Sequence, residues 1–528
     1  MVHKIAFIVP GCDLTNKLYM ENLGVEYLAA TLNPKQIIAH IWDIGVTGDT
    51  IENTIEQVFQ YGANLIGISV SSAIFYNEVK NIVNEIRRRN SKIHICVGGY
   101  YPTSYPELLK EINITSVFLG EGEDNFAKFA KLVLNGQEEW KKIPGIAYLN
   151  NGELIKNKAE RHINLNENYF LKRDTLKSVL NNGGVASILG SRGCYGNCTF
   201  CLINSNYLMA TGNNNWYGRT GENIVNEIED LHKRFGLQEF WFIDANFFGG
   251  IREDKNRIKD FCNRIKTLNY KVCFSLECRI TDIIHNKEII DLLIESGLKR
   301  IFLGIESGDM NELKIYNKGT TVEQNIEAIN YLKNKNIAVH VSLIYYNPLS
   351  NFQSLQNTIN FIHKCGLDII YPGLLNNILG VLPGTSISKL IKNKGIKVNK
   401  FGLGYAFSDD RVDIIYKIVL YFCRKYQCLQ IADHILWRNK AYFINNSECI
   451  QIEKKINYLK NYILLSFYEA IVKQLLEKED TLSTAEIIKV ADNSIKEVLP
   501  SIEKLKNAIR LVANVEKRKK EFKRYEYK

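Results

Sequence analysis

The stretch GSRGCYGNCTFC, from Gly190 to Cys201, places Cys194, Cys198 and Cys201 within eight residues and supplies no obvious fourth thiol. A structural zinc site asks for four ligands, usually as two separated pairs. The chain has no second CxxC and no HxxxH to complete one. A disulfide framework belongs to oxidising compartments, whereas twelve cysteines in 528 residues without a secretion signal point to a reducing one. Iron–sulfur clusters are held by thiolates, normally four. A loop offering three leaves one iron of a four-iron cluster open, and an open metal position is where substrate or cofactor binds. The spacing therefore points to a reactive cluster with Cys194, Cys198 and Cys201 as metal ligands and catalytic residues.

Other side chains able to do chemistry share one placement. Asp244 and Asn246, Glu277 and Arg279, Glu306 and Ser307, and Tyr345 all lie at or just past the end of a β-type apolar run. Those runs are EFWFIDANF, KVCFSLECR, KRIFLGIESG and AVHVSLIYY. With VASILG before the cysteines and LDIIYPG later, they make six strands separated by helical patterns such as ENIVNEIEDLHKRF and EIIDLLIESG. That repeat predicts a full or partial barrel, with its chemistry on the loops after the strands. Arg279 has the planar fork that suits a carboxylate; an internal salt bridge between barrel ends is the other reading. Tyr345 and Tyr346 face a substrate or pack at the rim. His340, inside a strand, reads as an interior histidine, and Cys273, Cys278 and Cys365 read as packing residues.

The elements ahead of this series alternate strand and helix with a short period over 1–145, which predicts a parallel, doubly wound α/β sheet. Ligands bind such sheets at the carboxyl ends of the strands. There the sequence puts Ser69, Ser71 and Ser72, then Gly98 and Gly99, then Gly120, Glu121 and Gly122. The glycines either let a ligand approach the backbone or only make tight turns. No GxGxxG follows the first strand, so a dinucleotide fold has little support. Residues 146–184 predict a hairpin and linker with a turn at Asn150–Asn151–Gly152, 185–395 the barrel, and 396–528 a helical domain.

Composition is that of a soluble protein, 46% hydrophobic and 23% charged. The net charge of +10 is densest in EKRKKEFKRYEYK, which is either a solvated helix end or a contact for nucleic acid or a leader peptide; a nucleic-acid partner is not expected. No apolar run reaches membrane-spanning length, since Lys417 and Lys460 interrupt the longest. MVHKIAFIVPGC reads as a buried strand rather than a signal peptide, and a cytoplasmic location is expected.

CxxxCxxC, with Phe200 before its last cysteine and a barrel strand before it, resembles the radical S-adenosylmethionine (SAM) superfamily. FIDANF is similar to that family's second-strand segment, GIESG to its fourth-strand motif near the cofactor, and VLPGT, with Leu382, to its sixth-strand segment near the adenine. NLGVEYLAATL, VGGYYPT and LGEGED resemble the subgroup in which a cobalamin-binding domain precedes the barrel. Together the resemblance spans about three quarters of the chain. It implies an N-terminal Rossmann-like cobalamin-binding-type domain, a radical SAM partial (β/α)6 TIM barrel and a C-terminal helical domain. It also implies a 4Fe-4S cluster whose open iron chelates SAM, one-electron cleavage to a 5′-deoxyadenosyl radical, and cobalamin-borne methyl transfer to an unactivated carbon. A small-molecule or peptide substrate and an external electron donor such as flavodoxin or ferredoxin follow. Mutase-type cobalamin domains carry DxHxxG after the first strand, but VPGCDLTNKLY has no histidine. Cys12, Asp13, Phe75 and Tyr76 are then the nearest candidates to face the corrin. A radical dehydratase, epimerase or rearrangement enzyme that transfers no methyl group stays open.

Overall fold

Near-continuous apolar runs such as IAFIV need cover on both faces, which helices flanking a parallel sheet supply. In the computed structural model, which describes residues 2–11, 20–167, 171–250, 255–366, 376–438, 447–476 and 482–526, that is how the chain begins. Strands β1 (His3–Val9), β2 (Ile37–Asp43), β3 (Leu65–Ser69), β4 (His94–Gly98) and β5 (Ser116–Phe118) are parallel, in the order β2-β1-β3-β4-β5. One core cluster on this sheet includes Ile8, Ile66, Ile82 and Val97; another includes Phe7, Phe118, Phe126 and Phe129. The chain leaves β1 for one neighbour and returns to its other side as β3, so the topological switch point lies between them.

The predicted hairpin forms as β6 (Ile146–Asn150) and β7 (Glu153–Lys156). It is not only a connection, because β6 pairs antiparallel with β5 and extends the sheet to seven strands.

Two compact units emerge, 1–272 with 381–390 and 400–402, and 273–380 with 391–399 and 403–528. Besides the seven-stranded sheet, the first holds β8 (Ala186–Ile188), a short pair β9 (Ser191–Arg192) and β10 (Tyr217–Gly218), and β11 (Glu239–Phe242), which runs parallel to β8. The second holds the parallel strands β12 (Cys273–Cys278), β13 (Leu298–Glu306) and β14 (Ala338–Leu343). It also holds the helices Asp410–Lys425, Gln427–Arg438, Ser447–Leu476 and Thr484–Glu526. The sixth predicted strand, LDIIYPG, lies outside the described residues. No helix among the described residues is long and apolar enough to cross a membrane.

Candidate functional site

The cysteine loop leaves β8 under tight control. Gly190 donates its N–H to Asp244 Oδ2 at 3.0 Å; the Ser191 hydroxyl donates to Asp244 Oδ1 and, at 3.0 Å, to the Asn246 carbonyl. Both Asp244 and Asn246 are fully buried just past β11. Burial pushes the Asp244 carboxyl up to about 6 against the hydrogen bonds from Ser191 and Gly190. These two residues therefore hold the entry of the loop.

Further along, Cys194 is buried, and its Sγ receives the Gly196 N–H at 3.4 Å. The buried Asn204 side chain donates to the carbonyls of Cys194, at 2.8 Å, and Gly196. Cys201, whose N–H reaches the Cys198 carbonyl at 3.2 Å, opens the helix Leu202–Thr211. Burial pushes the Cys201 thiol up to about 11, and the nearby Cys198 and Cys194 add to that. The three thiols thus lie within electrostatic reach of one another. Phe200 is half-buried in the same loop, and the Thr199 carbonyl accepts the Ile387 N–H at 2.9 Å. That bond brings the segment of half-buried Leu382 to the cysteine loop.

Among the described residues no three His, Cys, Asp or Glu side chains are close enough to hold a single metal ion. A four-iron cluster takes one thiolate per iron, a donor set that fits three thiols on one loop. Such ligands bind deprotonated, so a cluster would reverse the upward shift of Cys201.

At the carboxyl edge of the first sheet, the Ser69 hydroxyl accepts from Asn22 Nδ2 at 3.2 Å, Ser71 is exposed, and Ser72 caps the short turn Ala73–Phe75. Gly98 ends β4. Gly99 has φ of 111°, and a Cβ there would stand 2.6 Å from the Val70 carbonyl, so only glycine fits this junction. Phe75 packs on the core. Tyr76 is also buried; its hydroxyl donates to Glu111 at 2.6 Å, and the Lys400 ammonium sits 4.1 Å from its ring. Both aromatics are thereby engaged by the protein itself. Cys12 and Asp13 lie outside the described residues.

Gly120, Glu121 and Gly122 follow β5, and Glu121 is spoken for by cations. Its carboxylate takes Arg161 Nε at 3.0 Å, the His162 N–H at 2.9 Å, Arg192 at 3.2 Å and the Tyr207 hydroxyl at 3.3 Å. Glu123 takes the other arm of Arg192 at 2.5 Å. Burial alone would raise Glu123, but the Arg192 charge and hydrogen bond hold it below the usual carboxylate range. Sequence reasoning missed Glu123, Arg161, Arg192, Asn204 and Tyr207; the available signal was an acid-rich loop, GEGED, and an arginine two residues before Cys194.

In the second unit Glu277 is half-buried near the end of β12. Arg279 follows it: its guanidinium donates to the Lys318 carbonyl, and its N–H to Asp282 at 3.1 Å. Glu306 closes β13 in the left-handed region, φ 71°, paired with Lys318 at 3.3 Å and accepting from Ser342 at 3.1 Å. A non-glycine residue held there is strained, a condition that clusters at functional sites. Ser307 is buried, donating to Glu312 at 2.7 Å. Tyr345 is buried, and its hydroxyl has no hydrogen-bond partner among the described residues. His340 is interior, and burial, then Arg300 and Lys460, drive its pKa down.

The chain's matches to known proteins follow this arrangement. Residues 188–362 match the radical SAM superfamily and residues 14–130 the B12 binding domain. An uncharacterized methyltransferase of Pyrococcus horikoshii is 25% identical over 404 residues, 72% of this chain and 84% of the relative. The 4′-phospho-dehydrooxetanocin synthase of Priestia megaterium is 24% identical over 387 residues, 67% of this chain but only about half of the relative, 51%. The cobalamin-dependent S-adenosylmethionine radical enzyme OxsB superposes with a TM-score of 0.76 at 18% identity, covering 96% of this chain and 83% of that one. That likeness shows the fold: a B12-binding-type domain, a radical SAM barrel and a helical region.

Proposed function

We propose that this chain, a radical SAM protein whose B12 binding domain precedes its radical domain, is a cobalamin-dependent enzyme that methylates an unactivated carbon. The observation that carries the reading is that the three-thiol loop after β8 is fastened, within one compact unit, to the ligand edge of the β1–β7 sheet through Arg192, Glu121 and Glu123. When bound, the cluster with SAM supplies a carbon-centred radical and cobalamin supplies the methyl group.

The residues divide as follows. Cys194, Cys198 and Cys201 hold the cluster, with Phe200 and Leu382 beside it. Asp244 and Asn246 position the loop through Gly190 and Ser191. Ser69, Ser71, Ser72, Gly98, Gly99, Gly120 and Gly122 line the corrinoid edge, while Glu121 and Tyr76 are given structural ties there. Glu277, Arg279 and Glu306 orient polar groups of SAM, and Tyr345 faces the substrate. The chain divides at 145, 184 and 395 in this reading, acts in the cytoplasm on a small molecule or peptide, and takes electrons from a flavodoxin- or ferredoxin-type donor.

The test is anaerobic purification with cobalamin supplied, cluster reconstitution, and assay of iron, sulfide and corrinoid. Four irons and one retained corrinoid are expected, and Cys198→Ala should lose the iron while sparing the corrinoid. Iron without corrinoid would shift the reading to a radical enzyme without methyl transfer, and no iron would end both.

A further inference from the structure

We infer that Arg192 is a positioning residue whose fork with Glu121 and Glu123 sets the cysteine loop against the loop after β5. Any cluster on the first loop then stands at a defined place relative to the ligand edge of the first sheet. The inference rests on the functional reading above and adds a role that neither domain match assigns.

Arg192 stands two residues before Cys194, in the short strand β9. Its two terminal nitrogens reach different carboxylates, Glu121 at 3.2 Å and Glu123 at 2.5 Å, and all three side chains are at most 10% exposed. A planar guanidinium bridging two acids fixes direction as well as distance, which a lysine ammonium does not. The grip is repeated on the far side of the motif. Tyr207, on the helix that starts after Cys201, donates to Glu121 at 3.3 Å. Arg161 stacks on the Tyr207 ring at 3.6 Å and gives Nε to the same carboxylate at 3.0 Å. Both ends of the cysteine motif are therefore fastened to one loop of the first sheet. For stability alone, an apolar cluster of equal volume usually serves as well as a buried ion pair. What the fork adds is register between two loops.

The test uses the full chain, reconstituted with iron and sulfide, loaded with hydroxocobalamin and reduced, and pulsed electron paramagnetic resonance to read the cluster-to-cobalt distance. Two variants are compared: Arg192→Lys, which keeps the charge but not the fork, and Arg192→Met with Glu123→Gln, which removes charge from both sides. Both are expected to keep wild-type iron, sulfide and corrinoid and to lose the single narrow distance of the wild type. A wild-type distance distribution in both would overturn the proposal. So would loss of iron from either, which would make Arg192 a folding residue. Wild-type protein lacking iron or corrinoid would overturn the functional reading itself, before any substitution is made.

Discussion

Individual carboxyls in the first unit show how position decides role. Asp244 ends just past a barrel strand, where sequence places a cofactor contact, yet its oxygens are taken by Gly190 and Ser191. Glu26 is buried on the helix Leu23–Ala30 and accepts from the backbone of Asp174 at 2.8 Å and Arg173 at 3.1 Å. Burial first, and then the Asp174 charge, push it up from 4.5 to about 7. The folded chain therefore takes up this proton near pH 7 and the unfolded chain only near 4.5, so protonation of Glu26 stabilises the fold progressively as pH falls between those values. Glu26→Gln should flatten the rise in melting temperature over that window, a loss on the order of 3 kcal/mol of pH-dependent stability. Asp43, raised to about 7, and Asp244 keep the remaining slope. Thermal unfolding at a series of pH values checks it, and an unchanged slope in the variant would refute the assignment. Gly99→Ala is a backbone test: at φ 111° and 2.6 Å from the Val70 carbonyl, the new methyl should cost about 1–3 kcal/mol and weaken corrinoid retention. Denaturant titration and corrinoid assay read the two effects separately.

Elements were legible in the sequence wherever a local pattern dictated them. The helix Ile51–Tyr61 begins at Thr50, whose side chain caps Asn53, and stops at Gly62, as its polar and glycine punctuation predicts. The hairpin turn was equally readable: Asn151 and Gly152 both take positive φ, 50° and 82°, the demand of a type I′ turn. What local pattern could not carry was the partner of the hairpin, because β6 looks the same whether it pairs with β5 or stands alone. Nor could it carry the Arg192 fork, whose members are 69 and 71 residues apart. Tyr76 illustrates the same limit, since Glu111 and Lys400 reach it from distant parts of the chain. The hairpin should be energetically separable from the site. Gly152→Val places a branched residue in the left-handed region at a cost of about 1–2 kcal/mol. Its melting temperature should fall while reconstituted iron stays at the wild-type level; a parallel loss of iron would show that the sheet edge and the cysteine loop are coupled.

Across the molecule, the last stretch of chain reads as helices alone, but its packing makes it part of the second unit's core. Tyr346, fully buried after β14, lies 5.1 Å from the Tyr416 ring and 6.0 Å from Phe407. Asp409, the N-cap of the helix Asp410–Lys425, also accepts the Phe352 N–H at 3.0 Å, at the start of the helix Phe352–Cys365. Deeper in, the Lys460 side chain is completely buried, its ammonium 2.7 Å from Asp433 on the helix Gln427–Arg438. In the sequence Lys460 looks like a charge that merely interrupts an apolar helix; only the fold shows that it points inward. Removing one partner of a buried pair costs more than the pair is worth, because the survivor loses its compensation. Asp433→Asn should therefore destabilise the chain by about 3–5 kcal/mol. Adding Lys460→Met should restore most of that loss, since the buried ammonium is then gone. Chemical denaturation of both variants measures the difference. If the double variant is no more stable than the single one, the buried ammonium is not the source of the loss. If it recovers, the cost of Asp433→Asn lies in the buried charge and not in a lost contact between the helices, whereas a chain cut at 395 would forfeit the cover that Phe407 and Tyr416 give Tyr346.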